Sequence, residues 1–226
     1  LLGTTPSAIS QSDTWSGNIS GDWETAANWN GGSVPGIADG QSATFDTSVT
    51  PGTGNGNVTL SGNVGVGDII FSGNGSTSYD LGATGGTLIL ADNGDVTVNA
   101  TVEVNQIISA NIILGDGTAT TNTIRNLNTT GSNSLLLAGD LIAPAGATGT
   151  VRMDFGGYNT TLDRIDISGD VYYNGAGAAG ADRFDLFLAG ANMTLSGNAA
   201  VTRDDTSNKV RTCLLYTSPS PRDLYR

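Results

Sequence analysis

The stretch Val58-Thr-Leu-Ser-Gly-Asn-Val-Gly-Val-Gly-Asp-Ile-Ile-Phe-Ser-Gly-Asn74 contains the pattern that decides the fold. Short apolar runs alternate with small and polar residues, and two of the runs end in the same tripeptide, Ser-Gly-Asn. Each apolar run is long enough for one strand, and Gly and Asn tolerate the sharp backbone turn that must follow it. The stretch therefore predicts short strands that are joined by tight corners.

This corner pattern, an apolar residue followed by Ser or Ala, then Gly, then Asn or Asp, recurs along the chain. It stands at Leu60 to Asn63, Phe71 to Asn74, Leu137 to Asp140, Ile167 to Asp170 and Leu195 to Asn198. Strand-turn units repeated every ~20 to 30 residues are typical of solenoids, in which each unit buries its apolar side chains against its two neighbours. We therefore predict an all-β, parallel β-solenoid (β-helix) over residues 58–212.

The spacing of the repeats is loose, and a β-sandwich is the structural alternative. Composition supports the all-β class in either case. Glycine occurs 33 times, whereas Glu occurs only at positions 24 and 103 and Lys only at 209, so the residues that favour exposed helices are nearly missing. A helical domain is not expected.

Charge is distributed unevenly along the chain, which carries a formal net charge of −12. No Lys or Arg precedes Arg125, whereas eleven Asp and Glu residues do. The phosphates of a nucleic acid would be repelled by such a surface, so nucleic acid is not an expected partner. The acidic, lysine-poor composition favours a protein that stays soluble outside the cell.

All three tryptophans, Trp15, Trp23 and Trp29, lie close together near the amino end. A stack of coils has exposed ends whose backbone groups must be covered. We therefore predict that residues 11–57 form a Trp-rich amino-terminal cap. The alternative is that the three rings form an exposed platform that stacks on sugar rings and binds carbohydrate.

The two ends of the sequence differ in composition from the rest. In residues 1–10, Ala8 and Ser10 match the small-residue pattern of a signal-peptidase site, so we expect the remnant of a signal peptide. Residues 213–226 bring two closely spaced prolines and the one cysteine of the sequence, Cys213. Residues 213–223 match the translation of a sequencing-library transposon adapter, and we expect residues 213–226 to be a non-native tail.

The chain resembles the autotransporter-associated β-strand repeat proteins and, more broadly, autotransporter passengers and large secreted bacterial repeat proteins. Its opening is similar to the leader segment that follows their signal peptide, and Asp163 to Val171 is similar to their passenger repeat. The leader-like positions are Trp15-Ser-Gly17, Gly21-Asp-Trp23, Asn28-Trp29, Pro35 and Ala43-Thr-Phe45. The resemblance implies a solenoid that is displayed at or beyond the bacterial surface.

Catalytic residues of the common kinds are missing from the sequence. It has no His, its one Cys lies in the tail, and Lys209 does not follow a glycine-rich phosphate loop, so the usual nucleophile–base pairs and a P-loop are not expected. Polysaccharide-degrading enzymes built on β-helices use carboxylates together with a basic residue. Residues of these types occur in two similar segments, at Asp163, Arg164, Asp166, Asp182, Arg183 and Asp185.

Because the two segments repeat the same pattern nineteen residues apart, we interpret them as a solvent-facing ladder of alternating charges and not as a catalytic site. Calcium is a separate possibility, since turns such as Asp92-Asn-Gly-Asp95 and Gly115-Asp-Gly117 offer hard oxygen ligands. Neither an EF-hand loop nor a tandem calcium-binding nonapeptide is present. We expect no catalytic, cofactor or metal site.

Composition and repeats predict a secreted or cell-surface structural protein. The resemblance implies an adhesin-like passenger of bacterial origin that is associated with the outer membrane. Surface polysaccharide and other cell-surface components are the expected partners. No run of residues is long and apolar enough for a transmembrane helix. The alternatives are a carbohydrate-binding module at the tryptophans and a β-helix enzyme that degrades polysaccharides.

Overall fold

The structure is a computed structural model of the 226-residue chain. It describes residues 11–38, 40–52, 56–115, 120–127, 134–143, 150–156, 164–167, 171–173, 183–189, 193–195, 199–200 and 211–214.

Short strands make up most of the described chain, together with one 3-10 turn at Ala26–Asn28. In chain order they are β1 (Asp13–Thr14), β2 (Ser42–Asp46), β3 (Asn57–Val58), β4 (Asn63–Val66), β5 (Asp68–Ser72), β6 (Asp80–Leu81), β7 (Thr87–Leu90), β8 (Asp95–Val98), β9 (Gln106–Ile108), β10 (Asn111–Leu114), β11 (Thr120–Asn126), β12 (Ser134–Leu137), β13 (Leu141–Ala143), β14 (Thr150–Gly156), β15 (Arg164–Ile167), β16 (Val171–Tyr173), β17 (Arg183–Ala189), β18 (Met193–Leu195), β19 (Ala199–Ala200) and β20 (Arg211–Leu214).

The strands form three parallel sheets that the chain visits in rotation. Sheet 1 has the order β1-β2-β5-β8-β11-β14-β17-β20, sheet 2 has β3-β6-β9-β12-β15-β18, and sheet 3 has β4-β7-β10-β13-β16-β19. From β2 onward each strand pairs with the strand three places further along the chain, and every named pair is parallel. The molecule is a β-solenoid, as predicted, and not a β-sandwich, whose strands would pair antiparallel.

One coil of the solenoid takes about the length that the repeats indicate. Asp68 at the start of β5 and Asp95 at the start of β8 are 27 residues apart. Asp95 and Thr123 of β11, which are also in register, are 28 residues apart. Elsewhere the spacing runs from 23 residues between Asn57 and Asp80 to 33 residues between Asp154 and Phe187. Because the strands still pair in register, equivalent residues of successive coils lie one above the other.

Alternating side chains of each strand point into the solenoid and fill it. In β5, β7, β8 and β10 the burial pattern alternates strictly between half-buried and buried residues. One inward column is formed by Leu88, Ile112 and Leu141, which are in register and almost completely buried. Each such aliphatic side chain contributes about 1.5–3 kcal/mol when it leaves water, so the inward columns supply most of the stabilisation.

The corner motif marks one corner of the coil in four of its five occurrences. Those four lie between β3 and β4, β12 and β13, β15 and β16, and β18 and β19, where the chain passes from sheet 2 to sheet 3. The fifth, Phe71 to Asn74, begins at the end of β5, where the chain leaves sheet 1. The motif therefore mainly marks the passage from sheet 2 to sheet 3.

Two segments that lie outside the predicted solenoid range, residues 58–212, also take part in the coils. β2 lies within residues 11–57, yet it pairs in register with β5, so the first coil begins at Ser42. At the other end β20 includes Cys213 and Leu214 and pairs with β17. Residues 1–10, the expected signal-peptide remnant, and residues 215–226 of the expected tail lie outside the described residues.

The stacking makes glycine necessary at one occurrence of this corner and not at another, and two glycines in the same motif position allow a matched test. A Cβ on Gly139 would lie 2.0 Å from the carbonyl oxygen of Ala110 in the preceding coil. A Cβ on Gly62, in the first coil, would meet no atom within 4 Å. We predict that Gly139→Ala lowers the free energy of unfolding by about 1–3 kcal/mol, whereas Gly62→Ala changes it by less than about 0.5 kcal/mol.

Urea denaturation followed by far-UV circular dichroism measures both variants. Equal effects of the two substitutions would contradict the close stacking of Gly139 on Ala110 in the preceding coil.

Candidate functional site

The three tryptophans are the candidate binding residues, and all three lie inside the protein. Trp15, Trp23 and Trp29 are 1%, 0% and 2% exposed. Trp29 packs edge-on against the other two, with ring centroids 5.0 Å apart in both pairs. Its indole N–H donates to the carbonyl oxygen of Trp23 at 2.8 Å. The tryptophans therefore form one aromatic cluster that closes the end of the core.

Phe45 of β2 joins this cluster to the coils. Its ring centroid lies 5.6 Å from that of Trp23 and 5.7 Å from that of Phe71, the residue in register with it on β5. Aromatic pairs at such distances and tilts are favourable beyond the area that they bury. The cap is thus continuous with the inward columns of the solenoid.

Asn28 is the polar centre of the cap, and it is completely buried. Its Oδ1 accepts hydrogen bonds from the backbone N–H groups of Ile19 and Ser20, both at 3.0 Å. Its Nδ2 donates to Ser20 Oγ at 2.9 Å and to the carbonyl oxygen of Asp22 at 2.8 Å. One amide side chain therefore fixes the loop that carries Trp23.

The cap also closes the free edge of sheet 1. The backbone N–H of Asn30 donates to the carbonyl oxygen of Thr14 in β1 at 2.9 Å. The carboxylate of Asp13 accepts hydrogen bonds from the N–H of Gly31 at 2.8 and 2.9 Å. A returning piece of chain thus occupies the edge where another strand could otherwise add.

Sheets 2 and 3 are covered by other parts of the same segment. On sheet 2, Thr59 donates its N–H to Gly21 at 2.7 Å and accepts one from Trp23 at 3.0 Å. On sheet 3, a Cβ on Gly65 would lie only 2.9 Å from Cδ1 of Ile37, so this isoleucine covers the glycine. All three sheets therefore meet the cap, which agrees with the predicted capping role.

Two carboxylates fasten the cap to the first corner. Thr25 Oγ1 donates to Asp22 Oδ2 at 2.9 Å, and this bond holds the pKa of the Asp22 carboxyl below its ordinary value. Ser61, in the corner, donates its hydroxyl to Asp22 at 3.3 Å and its N–H to Glu24 at 3.2 Å. Neutral donors, not basic side chains, satisfy these carboxylates, as expected for a region without Lys or Arg.

Burial of the tryptophans bears directly on carbohydrate binding. A ring that stacks on a sugar must leave one face open to solvent. The described conformation leaves none of the three rings open in this way, since each is at most 2% exposed. The cluster has the geometry of a cap, and its rings do not offer a sugar platform.

Tyr79 is a further buried ring that connects the cap to sheet 2. Its ring centroid lies 5.3 Å from that of Phe45, and its hydroxyl donates to the carbonyl oxygen of Asp46 at 2.9 Å. Burial, with the nearby Asp46 carboxylate as a second cause, raises the pKa of the Tyr79 hydroxyl well above its ordinary value. The phenol therefore stays neutral and acts as a hydrogen-bond donor.

The turn from Asp92 to Asp95 is one of the two turns with calcium-type ligands. Asp95 Oδ1 accepts a hydrogen bond from the N–H of Thr123 at 3.1 Å, and Oδ2 lies 3.4 Å from Arg125 Nη2. Both oxygens of this carboxylate are thus engaged in joining two coils. In the other turn Gly115 is described, whereas Asp116 and Gly117 lie outside the described residues. Within the described ranges, no three acidic or thiol side chains are grouped closely enough to hold a metal ion.

The interpretation of the two Asp/Arg segments as one stacked ladder is wrong. Arg164 and Asp166 are in β15 of sheet 2, which pairs with β12 and β18. Arg183 and Asp185 are in β17 of sheet 1, which pairs with β14 and β20. Their nineteen-residue spacing is shorter than a coil, so the two segments belong to different faces. Asp163 and Asp182 lie outside the described residues.

Comparison with known proteins adds no relative. A scan against protein-family models, a search of the curated proteins and a search of the solved structures each found no match. In the described part of the chain, no helix has the length and apolarity needed to cross a membrane. A function for this protein must therefore be inferred from its geometry and its sequence.

Sequence reasoning found the tryptophans but missed the residues that hold them. Asn28 stands next to Trp29 in a conspicuous Asn-Trp pair, which was the available signal. Asp13 and Tyr79 gave no signal, because their partners lie 18 and 33 residues away in the sequence.

We predict that Asn28→Ala destabilises the cap, because it removes four hydrogen bonds of a buried side chain to partners that are partly exposed. Water can replace some of these bonds at the partners, so the free energy of unfolding of the cap falls by about 1–3 kcal/mol. Tryptophan emission should shift to the red and acrylamide quenching should increase, while the far-UV circular dichroism of the coils is retained.

Asn30→Ala is the matched control, because Asn30 is exposed in the same segment. Its tryptophan spectrum should stay that of the unmodified protein. Unchanged quenching in Asn28→Ala would contradict the role of Asn28 as the centre of the cap.

Proposed function

We propose that this protein is a secreted or cell-surface structural or adhesive β-solenoid, of the passenger type found in autotransporters. The observation that carries the proposal is the filled interior: in the coils from β2 to β13, the inward positions are occupied by packed, mostly apolar side chains. Such a body acts through its outer faces. Rigid presentation of extended faces is what a scaffold or an adhesin requires.

The chemistry of the outer faces supports the same function. Half-buried outward positions on sheet 1 carry Thr44, Ile70 and Thr97, and those on sheet 2 carry Asp80 and Ile107. These side chains suit multiple weak contacts with a surface and not the positioning of one reacting atom. Surface polysaccharide or other cell-surface components fit as partners, and nucleic acid does not, given the net charge of −12.

The resemblance to autotransporter-associated repeat proteins is a second support. A parallel solenoid with a Trp-rich amino-terminal cap is the architecture that this resemblance implies. The signal-peptide-like residues 1–10 and the acidic, lysine-poor composition fit a location outside the cytoplasm, associated with a bacterial outer membrane. We propose no cofactor, no metal ion and no catalytic activity.

We predict that an antibody raised against the purified chain labels intact cells of the source bacterium or finds the protein in the culture medium. Added protease should remove the signal from intact cells, while a cytoplasmic marker enzyme stays intact as the control. Recovery of the protein only in the cytoplasmic fraction would contradict the proposal.

The purified chain should also release no reducing sugar from a panel of neutral and uronic-acid polysaccharides. Release of reducing ends would instead support the enzyme alternative.

A further inference from the structure

Sheet 3 differs from the other two sheets in that its described strands carry no charge. No Asp, Glu, Lys or Arg occurs in β4, β7, β10, β13, β16 or β19. Sheet 1 contains charged residues in β2, β5, β8 and β11, among others, and sheet 2 contains them in β6 and β15. Asp140, which precedes β13, lies at the margin of the uncharged face.

The outer surface of sheet 3 also carries a straight apolar column. Ile89, Ile113 and Ile142 are in register on β7, β10 and β13, and all three are half-buried. Gly65 continues the column on β4, and Ile37 of the cap covers it while remaining 47% exposed. We call Ile37, Ile89, Ile113 and Ile142 the sheet 3 stripe.

We propose that the sheet 3 stripe is a self-association surface, and that its occupant is the same stripe of a second copy of this chain. Charge favours this choice. Two copies that each carry a net charge of −12 repel one another, and contact through sheet 3 brings together the strands without charges. The identical stripe of a second copy is apolar, straight and equally long, so a two-fold axis near Ile113 makes the contact self-complementary.

The size of the face determines how strong the pairing is. The six strands have two to four residues each. At about 3.3 Å per residue and about 4.8 Å between strands, they give roughly 300 Å² per copy. A standard stable interface needs about 800 Å² per partner. Pairing of two free copies is therefore weak and depends on concentration. Copies held side by side on a cell surface would gain from multivalency, although the pairing itself does not require that location.

Sedimentation velocity of the full chain across a wide range of protein concentrations tests the pairing. Cys213→Ser serves as the background, so that thiol oxidation does not contribute. The sedimentation coefficient should rise with concentration, and it should rise further at high salt, where repulsion between the acidic copies is screened. Ile113→Asp should weaken association by at least about tenfold, because two like charges would meet at the centre of the contact.

Thr97→Asp is the matched control, because Thr97 occupies an outward, half-buried position on sheet 1 and the net charge changes equally. Association should persist in this variant. A sedimentation coefficient that is independent of concentration would overturn the proposal, and so would equal weakening by both substitutions. Association that requires an added uncharged polysaccharide would overturn it in favour of that ligand.

A second measurement covers the case in which Ile113→Asp does not fold. In the same background, Ile113→Cys should form a disulfide-linked dimer on mild oxidation, and Thr97→Cys should not. Failure of the Ile113→Cys variant to cross-link, or equal cross-linking of both variants, would overturn the proposal. Neither result bears on whether the protein is secreted, so the two proposals fail independently.

Discussion

Parallel stacking of equivalent backbone segments is the constraint on which the rest of this structure depends. Adjacent coils are about 4.8 Å apart, so each residue must share its space with its counterparts in the coils on either side. An inward position must be apolar in coil after coil, as in the column of Leu88, Ile112 and Leu141. A tight corner must be free of a side chain, as at Gly139.

The same stacking leaves the solenoid with exposed ends, and the cap covers one of them. Without residues 11–41, β2 would present unpaired backbone groups, and Phe45 would face water. The cap supplies apolar cover through its tryptophans and backbone partners through Gly21, Trp23 and Asn30. Its carboxylates are satisfied by N–H and O–H donors, so the cap is fastened without basic residues.

Local sequence patterns predicted the structural features that are determined by residues close together in the sequence. The alternation in β7 and β8, the corner at Leu60 to Asn63 and the capping role of the tryptophans could all be inferred from neighbouring residues. The pairing of coils could not, because the connection from sheet 1 to sheet 2 is longer between β2 and β3 than between β5 and β6. This variation in connection length makes the number of residues per coil hard to recognise in the sequence. It also made two similar Asp/Arg segments look stacked when they belong to different sheets.

The most direct test of the coiled architecture is disulfide formation between engineered pairs on the outer face of sheet 1. Thr44 and Ile70 are in register on adjacent coils, and Thr97 is in register with Ile70 one coil further on. In a Cys213→Ser background, Thr44→Cys with Ile70→Cys should form an intramolecular disulfide, because adjacent Cα atoms about 4.8 Å apart lie within bonding range. Thr44→Cys with Thr97→Cys, two coils apart, should stay reduced, and the opposite result would contradict the stacking order.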